Sequence, residues 1–284
     1  MTAEQALNWR RYTDGESKWD DLQDDIFKAS WTHKCPTYVH RAPPCQGSCP
    51  SGHDIRGWLA IARGMDKPTV EGMEWQEYAF QRMVEANPFP SVMGRVCPAP
   101  CEDGCNRNEV DDQVGINGVE QHVGDWAIAH NIALTKPEKE TGKKIAVIGG
   151  GPGGLSCAWQ MRRKGHSVTV FEKQEKLGGM MAYGIPGYRV PRDILDAEMQ
   201  RILDTGVVAK TGVTIGEDIT IEQLENDFDA IFWAVGAQKG RGLFLDSWEG
   251  TENCITGVAF LEAFNQGRLH YTTKKVVVVG GGDT

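Results

Sequence analysis

Residues 144–173 read KIAVIGGGPGGLSCAWQMRRKGHSVTVFEK, and no other stretch leaves the chain so little choice of fold. Lys144–Ile148 is a short apolar run of strand length. Gly149 to Gly154 form a turn of glycines around one proline, an apolar helix then runs to Gly165, and Ser167–Lys173 reads as a second strand. Gly149, Gly151 and Gly154 fit G-x-G-x-x-G: the first permits a tight turn, the second lets a pyrophosphate reach the backbone, and the third brings helix and strand together. Glycines alone would mark only a turn in a core. Here the strand before, the helix after and an acid 23 residues beyond Gly149 agree on dinucleotide binding. The helix N-terminus offers N–H groups to the anion, and Glu172, ending the second strand, can accept hydrogen bonds from ribose hydroxyls. The fold class that follows is α/β with a doubly wound, Rossmann-like parallel sheet.

A second strand-plus-glycine signal closes the chain at Lys275–Val279, with Gly280, Gly282 and Asp283 as further nucleotide-binding candidates. It stops before its helix, so the sequence reads as a fragment of a longer protein, the alternative being a natural C-terminal strand. Two fingerprints imply two dinucleotides, whose chemistry is hydride transfer from a nicotinamide to a flavin. Between them, KLGGMMAYGIPGYRVP (176–191) places Gly178 and Gly179 where a flat ring can approach the backbone, with Met180 and Arg189 as further cofactor-binding candidates. DAIFWAVGA (229–237) is expected to be a buried strand ending in Gly236 near the nucleotide. Pro152, Gly153 and Lys173 complete the candidate cofactor-binding set.

Cysteine usage divides the chain. Six of eight, Cys35, Cys45, Cys49, Cys97, Cys101 and Cys105, precede residue 106, and three of them fall in the run GRVCPAPCEDGC. Such clustering points to a metal centre rather than to disulfides. Cys157 and Cys254 stand apart and read as structural. The polar run LTKPEKETGKK at 134–144 is a linker, giving a helical, cysteine-bearing domain at 1–140, a nucleotide domain at 141–272, and the start of another at 273–284.

Within the first domain, Ile55, Trp58, Leu59 and Ala62 lie on one helical face, with Asp54 as cap and Gly64 as stop. A second helix runs into Asn87-Pro88, and a third presents Val119, Val123, Trp126 and Ala127. The cysteines are expected in loops between these helices. A formal charge of −9 without a basic block argues against a nucleic-acid partner. No apolar run approaches the ~18 residues of a membrane span, and the N-terminus has no apolar signal core, so the expected place is the cytoplasm.

The chain resembles the small subunit of glutamate synthase and its relatives, among them the N-terminal part of dihydropyrimidine dehydrogenase. The likeness covers almost the whole chain through GRVCPAPCEDGC, AVIGGGPGGLSCAWQMRRKGHSVTVFEK, GGMMAYGIPGYRVP, AVGA and VVVVGGGDT. It implies FAD at the first fingerprint, NAD(P)H at the second, and two [4Fe-4S] clusters in the helical domain. Carried over, Cys45 and Cys105 serve one cluster, and Cys49, Cys97 and Cys101 the other. Relatives have a C-x2-C pair just upstream of the first; this chain offers only Cys35, so His33, His40 or a solvent species completes that cluster, or it is not a full cubane.

For the second cluster the resemblance implies Glu120, with Gln121 as rival. Asn117 and Glu120, three apart at a helix start, also fit a capping pair. The tryptophans of the first domain read as an apolar sheath around the clusters. The implied activity is electron transfer from NAD(P)H through flavin and clusters to a larger partner subunit, as in glutamate synthase. The stretch CPTYVHRAPPCQGSCP favours as runner-up an iron-sulfur flavoprotein serving dissimilatory sulfite reductase. From the residues alone, a zinc-stabilised nucleotide-binding module without redox activity stays open.

Overall fold

The computed structural model describes residues 42–242, 254–269 and 275–282; His33, Cys35, His40 and Asp283 lie outside the described residues. The first half is helical: α1 (Pro44–Ser48), α2 (Ile55–Ala62), α3 (Trp75–Met83), α4 (Pro90–Val96), α5 (Pro100–Asp103), a 3-10 turn at Asn106–Glu109, and α6 (Ile116–Ala129). α2 forms as its pattern requires: the Asp54 side chain accepts the Gly57 N–H at 3.2 Å, Ile55, Trp58 and Ile61 are buried, and Gly64 at φ 71° ends it. α3 stops at Met83, whose carbonyl takes the Asn87 N–H at 3.0 Å and so carries the chain to the Asn87-Pro88 corner.

α4 and α6 cross in near backbone contact. A methyl group on Gly94 would stand 2.6 Å from the Gln121 nitrogen, and one on Gly124 would stand 2.4 Å from the Ser91 nitrogen. Only residues without a Cβ allow that approach, which fixes α6 beside the chain entering Cys97.

The second half runs β1 (Lys144–Ile148), α7 (Pro152–Arg163), β2 (Ser167–Glu172), α8 (Met180–Tyr183), α9 (Arg192–Asp204), β3 (Val208–Thr211), α10 (Ile221–Asp227), β4 (Ala230–Trp233) and α11 (Gly257–Asn265). The four strands form a parallel sheet in the order β3-β2-β1-β4, with Ile148 opposite Phe171 on one side and Trp233 on the other. The chain steps outward through β2 and β3, then returns across β1 to β4. The reversal falls at the carboxyl end of β1, where parallel α/β sheets open a ligand crevice and where the glycine turn begins.

One apolar cluster joins both halves, from Trp58, Phe80, Met83 and Val123 through Val147, Leu155 and Trp159 to Leu195 and Ile202. The polar stretch at 134–144 thus connects parts that share a core, and the described residues from 43 onward belong to one compact unit.

Two strand expectations need correction. β4 forms, but among the described strands it has one hydrogen-bonded neighbour and lies at the sheet edge, and Phe232 and Trp233 are 43% and 49% exposed rather than buried. Residues 275–282 form no strand: Val276–Val279 are 71% to 87% exposed, since an apolar run becomes a strand only on a ladder and none of the described strands provides one. No described helix is long and apolar enough to cross a membrane.

Candidate cofactor and cluster sites

At the end of β1 the sequence requirement for glycine is geometric. Gly149 has φ 110°, and a Cβ there would lie 2.3 Å from the Ala234 carbonyl; at Gly154 a Cβ would lie 1.9 Å from the Gly149 carbonyl. Helix, turn and two strands therefore meet without side chains between them. Gly151 is the N-cap and Pro152 the first residue of the twelve-residue α7, so a helix N-terminus of substantial length opens on the turn. The Gly178 N–H donates to the Gly150 carbonyl at 2.8 Å, and a Cβ on Gly179 would stand 2.7 Å from the Gly151 Cα. The segment from Gly178 to Met180, which begins α8, is thereby laid against the fingerprint.

Glu172 is buried at the end of β2, where Oε2 accepts the Gly150 N–H at 2.6 Å and Oε1 the Gln174 N–H at 2.8 Å. Each carboxylate oxygen has capacity for a further donor, so the acid braces the turn and can still receive a hydroxyl. The structure thus gathers Gly149–Gly154, Glu172, Gly178, Gly179 and Met180. Lys173 and Arg189 are exposed, Gly236 follows β4 at φ 68°, and Gly280 and Gly282 stand in the exposed 275–282 segment.

The thiols occupy a second locality. Cys45 lies within α1 and Cys101 within α5, not in loops, because Pro44 and Pro100 each start a short helix. Cys49 and Cys97 end α1 and α4, and Cys105 precedes the 3-10 turn. A Cβ on Gly104 would meet the Ser48 Oγ at 2.4 Å, so α1 and α5 touch.

Burial pushes the Cys45 thiol up, and the charge of Cys105 adds to it. Burial raises Cys97 as well, with Glu120 and Cys49 contributing. Cys101 is pushed up to about 11, first by burial and then by Cys97. The charges that raise these thiols come from Cys105 for Cys45, from Glu120, Cys49 and Glu102 for Cys97, and from Cys97 and Glu102 for Cys101. Between Cys97 and Cys101, Ala99 lies at φ 54° between two prolines and donates its N–H to the Cys97 Sγ at 3.4 Å. A left-handed alanine costs roughly 1–2 kcal/mol, strain of the kind that concentrates at functional loops.

Glu120 is buried on α6. Burial pushes its carboxyl up to about 7 against the Asn87 Nδ2 bond at 2.9 Å. His53 Nδ1 stands 3.5 Å from the same oxygen, and its Nε2 lies 3.1 Å from the Met83 carbonyl. Burial holds His53 below its usual range, so its ring is neutral, with the proton on Nε2 facing that carbonyl. The capping pair of Asn117 and Glu120 is not formed. Asn117 is the second residue of α6; its N–H goes to Glu102 Oε1 at 2.8 Å and its Nδ2 to the Cys97 carbonyl at 3.0 Å, tying α6 to the cysteine loop.

Trp58 is fully buried in this half. Cys157 is half-buried against the core, whereas Cys254 is exposed and packs into none. Sequence reasoning passed over His53 and Asn87, whose partners stand 30 and 33 residues away.

Among the described residues no three donors converge as they would around a single ion. A cluster asks for something else: one side chain per metal atom, spread around a positive core that stabilises deprotonated ligands. Cys97, Cys101 and Glu120, all pushed toward neutrality by burial and grouped with Cys49, fit that demand.

Residues 143–284 match the pyridine nucleotide-disulphide oxidoreductase family. The chain belongs to that family. Residues 28–132 match dihydropyrimidine dehydrogenase domain II, 4Fe-4S cluster. The two matches indicate FAD and NAD(P)H as cofactors for the second half of the chain and a 4Fe-4S cluster for the first. It is similar to the NADPH-Fe(3+) oxidoreductase subunit beta of Geobacter sulfurreducens, 36% identical over 88% of this chain and 37% of the relative. It is similar to the glutamate synthase [NADPH] small chain of Mycobacterium tuberculosis, 35% identical over 85% of this chain and 50% of the relative. The NADP(+)-dependent formate dehydrogenase subunit beta of Moorella thermoacetica is 37% identical over 84% and 36%. The chain spans half or less of the length of these relatives.

Proposed function

We propose that this chain is the electron-entry unit of a larger oxidoreductase of the glutamate synthase small-subunit type, taking electrons from NAD(P)H and delivering them to a partner subunit. When bound, FAD and the clusters supply the conversion of a nicotinamide hydride into single electrons. The protein's own part is placement. Gly149–Gly154 and the α7 N-terminus receive a pyrophosphate, Glu172 orients a ribose, and the backbone at Gly178–Gly179 gives a flat ring access to the turn. Cys49, Cys97, Cys101 and Glu120 would hold one [4Fe-4S] cluster, and Cys45 and Cys105 would serve a second.

The observation that carries this reading is a single core under both localities: the helices that bear the thiols and the sheet that bears the fingerprint are packed as one unit. Relatives whose names include iron reduction, glutamate synthesis and formate oxidation support a common donor module working with different partners. A cytoplasmic site accords with thiols kept reduced for metal binding.

Protein purified without oxygen should contain iron, acid-labile sulfide and FAD, and a brown chromophore that NAD(P)H bleaches. Zinc in place of iron, with no sulfide, would overturn the proposal and leave the structural zinc module.

A further inference from the structure

The corner between α3 and α4 is held from two sides by the nucleotide-binding half. From α7, Trp159 Nε1 donates to the Val84 carbonyl at 2.8 Å, Gln160 Nε2 to the Glu85 carbonyl at 2.8 Å, and Arg163 Nη1 to the same carbonyl at 3.1 Å. These carbonyls follow the end of α3, where a helix leaves acceptors unpaired. From α9, Glu198 accepts the Ser91 N–H on Oε1 at 2.7 Å and the Val92 N–H on Oε2 at 3.0 Å, taking up donors that the start of α4 leaves unpaired. Glu198 has no exposed surface. It is an acidic side chain from one half of the molecule buried against the backbone of the other, joining residues 107 and 106 apart in sequence.

What lies beyond each contact gives the clamp its meaning. α4 is a rod of seven residues, roughly 10 Å long, with Glu198 at one end and Cys97 capping the other. The corner it leaves carries Asn87, which holds Glu120 and accepts the Phe89 N–H at 3.0 Å. On α9 the next residue, Met199, packs its sulfur where a Cβ on Gly178 would meet it at 3.4 Å, under the segment laid against the fingerprint. Arg192, at the start of the same helix, donates to the carbonyls of Met181 and Ile185 at 2.8 and 2.6 Å. One helix therefore braces the flavin-side segment with Arg192 and Met199, and the cluster-side helix with Glu198.

We propose that Glu198 is a positioning residue that sets the spacing and orientation of the Cys97/Glu120 cluster site relative to the flavin site, so that removing its two hydrogen bonds impairs electron passage between them while both cofactors stay bound. The inference rests on the function proposed above. Its energetic basis is asymmetric: with Glu198 gone, two buried N–H groups lose their acceptor, and the cheapest remedy is for α4 to shift toward another.

The test compares wild type with Glu198→Ala, Glu198→Gln and Glu198→Asp in the anaerobically purified holoprotein. Stopped-flow absorbance follows flavin and cluster reduction by NADPH, and dithionite, which reaches the cluster directly, serves as reference. Iron, sulfide and FAD content are measured on each sample. In Glu198→Ala the NADPH-driven cluster phase should slow by about tenfold or more, with flavin reduction and the dithionite phase unchanged. The electron paramagnetic resonance line shape of the reduced cluster should also alter.

Glu198→Gln, which keeps one acceptor oxygen and sets an amide N–H₂ against the second donor, should fall between. If Glu198→Ala does not fold, Glu198→Gln and Glu198→Asp decide. A wild-type cluster phase and line shape in every folded variant would overturn the inference. A wild type lacking iron and sulfide would instead overturn the function on which it rests.

Discussion

Ala99 is the residue at which local strain and site chemistry coincide. Its left-handed backbone lies between two prolines and separates Cys97, at the end of α4, from Cys101 within α5. A β-branched side chain tolerates that conformation far less than alanine does, so Ala99→Val should lower iron and sulfide content while FAD content holds, as measured by chemical analysis and absorbance. Ala99→Gly should load iron like wild type and gain stability of about 1 kcal/mol in urea unfolding, because glycine has no penalty there. Equal iron in all three proteins would show that the strain is not what shapes the loop. At the other locality, Glu172→Ala leaves the Gly150 N–H without its buried acceptor, at about 1–3 kcal/mol. FAD should then bind roughly 10- to 100-fold more weakly in a fluorescence titration, and unchanged affinity would count against Glu172 as the brace of the turn.

Between elements, the crossing of α4 and α6 makes its own demand. Gly124→Ala would drive a methyl group into the Ser91 backbone, and overpacking of this kind costs typically about 1–3 kcal/mol. The melting temperature should drop by several degrees, whereas a neutral substitution would mean that the two helices are not in backbone contact. The junction of α4 with α9 should respond to pH. Burial pushes the Glu198 carboxyl up to about 8, against the two N–H bonds and the nearby Arg201; Asp125 of α6, itself paired with Arg95 of α4, adds to the rise.

An acid whose pKa is raised by folding contributes most below its unfolded value, about 4.3, and that contribution is lost as pH climbs to about 8. In urea melts the stability of wild type should therefore decline relative to Glu198→Gln between these limits, by up to a few kcal/mol, and run parallel above them. Parallel curves across the whole range would mean an unshifted carboxyl.

For the molecule as a whole, legibility in the sequence followed the range of the interaction. The turn at Gly149–Gly154 could be read directly, because its requirement for glycine is local and shows in the spacing. The start of α2 was equally plain, since Asp54 caps a residue three positions on. β4 was recognisable as a strand but not as an edge, because edge or centre depends on what lies beyond it in space. Lys275–Val279 has strand composition, and composition cannot provide a ladder. Asn87, His53 and Glu198 left no local pattern at all: each is defined by a partner 30 to 107 residues away, and a buried acid in a helix looks in sequence like any solvated one.

One core supports both the glycine turn and the cysteine-bearing helices, so electrons should pass from flavin to cluster within the protein. The direct measurement is rapid-mixing absorbance of the oxygen-free holoprotein with NADPH. Flavin bleaching followed by bleaching of the iron–sulfur absorption, with no added mediator, is the predicted result. Flavin that bleaches while the iron–sulfur absorption waits for dithionite would contradict it.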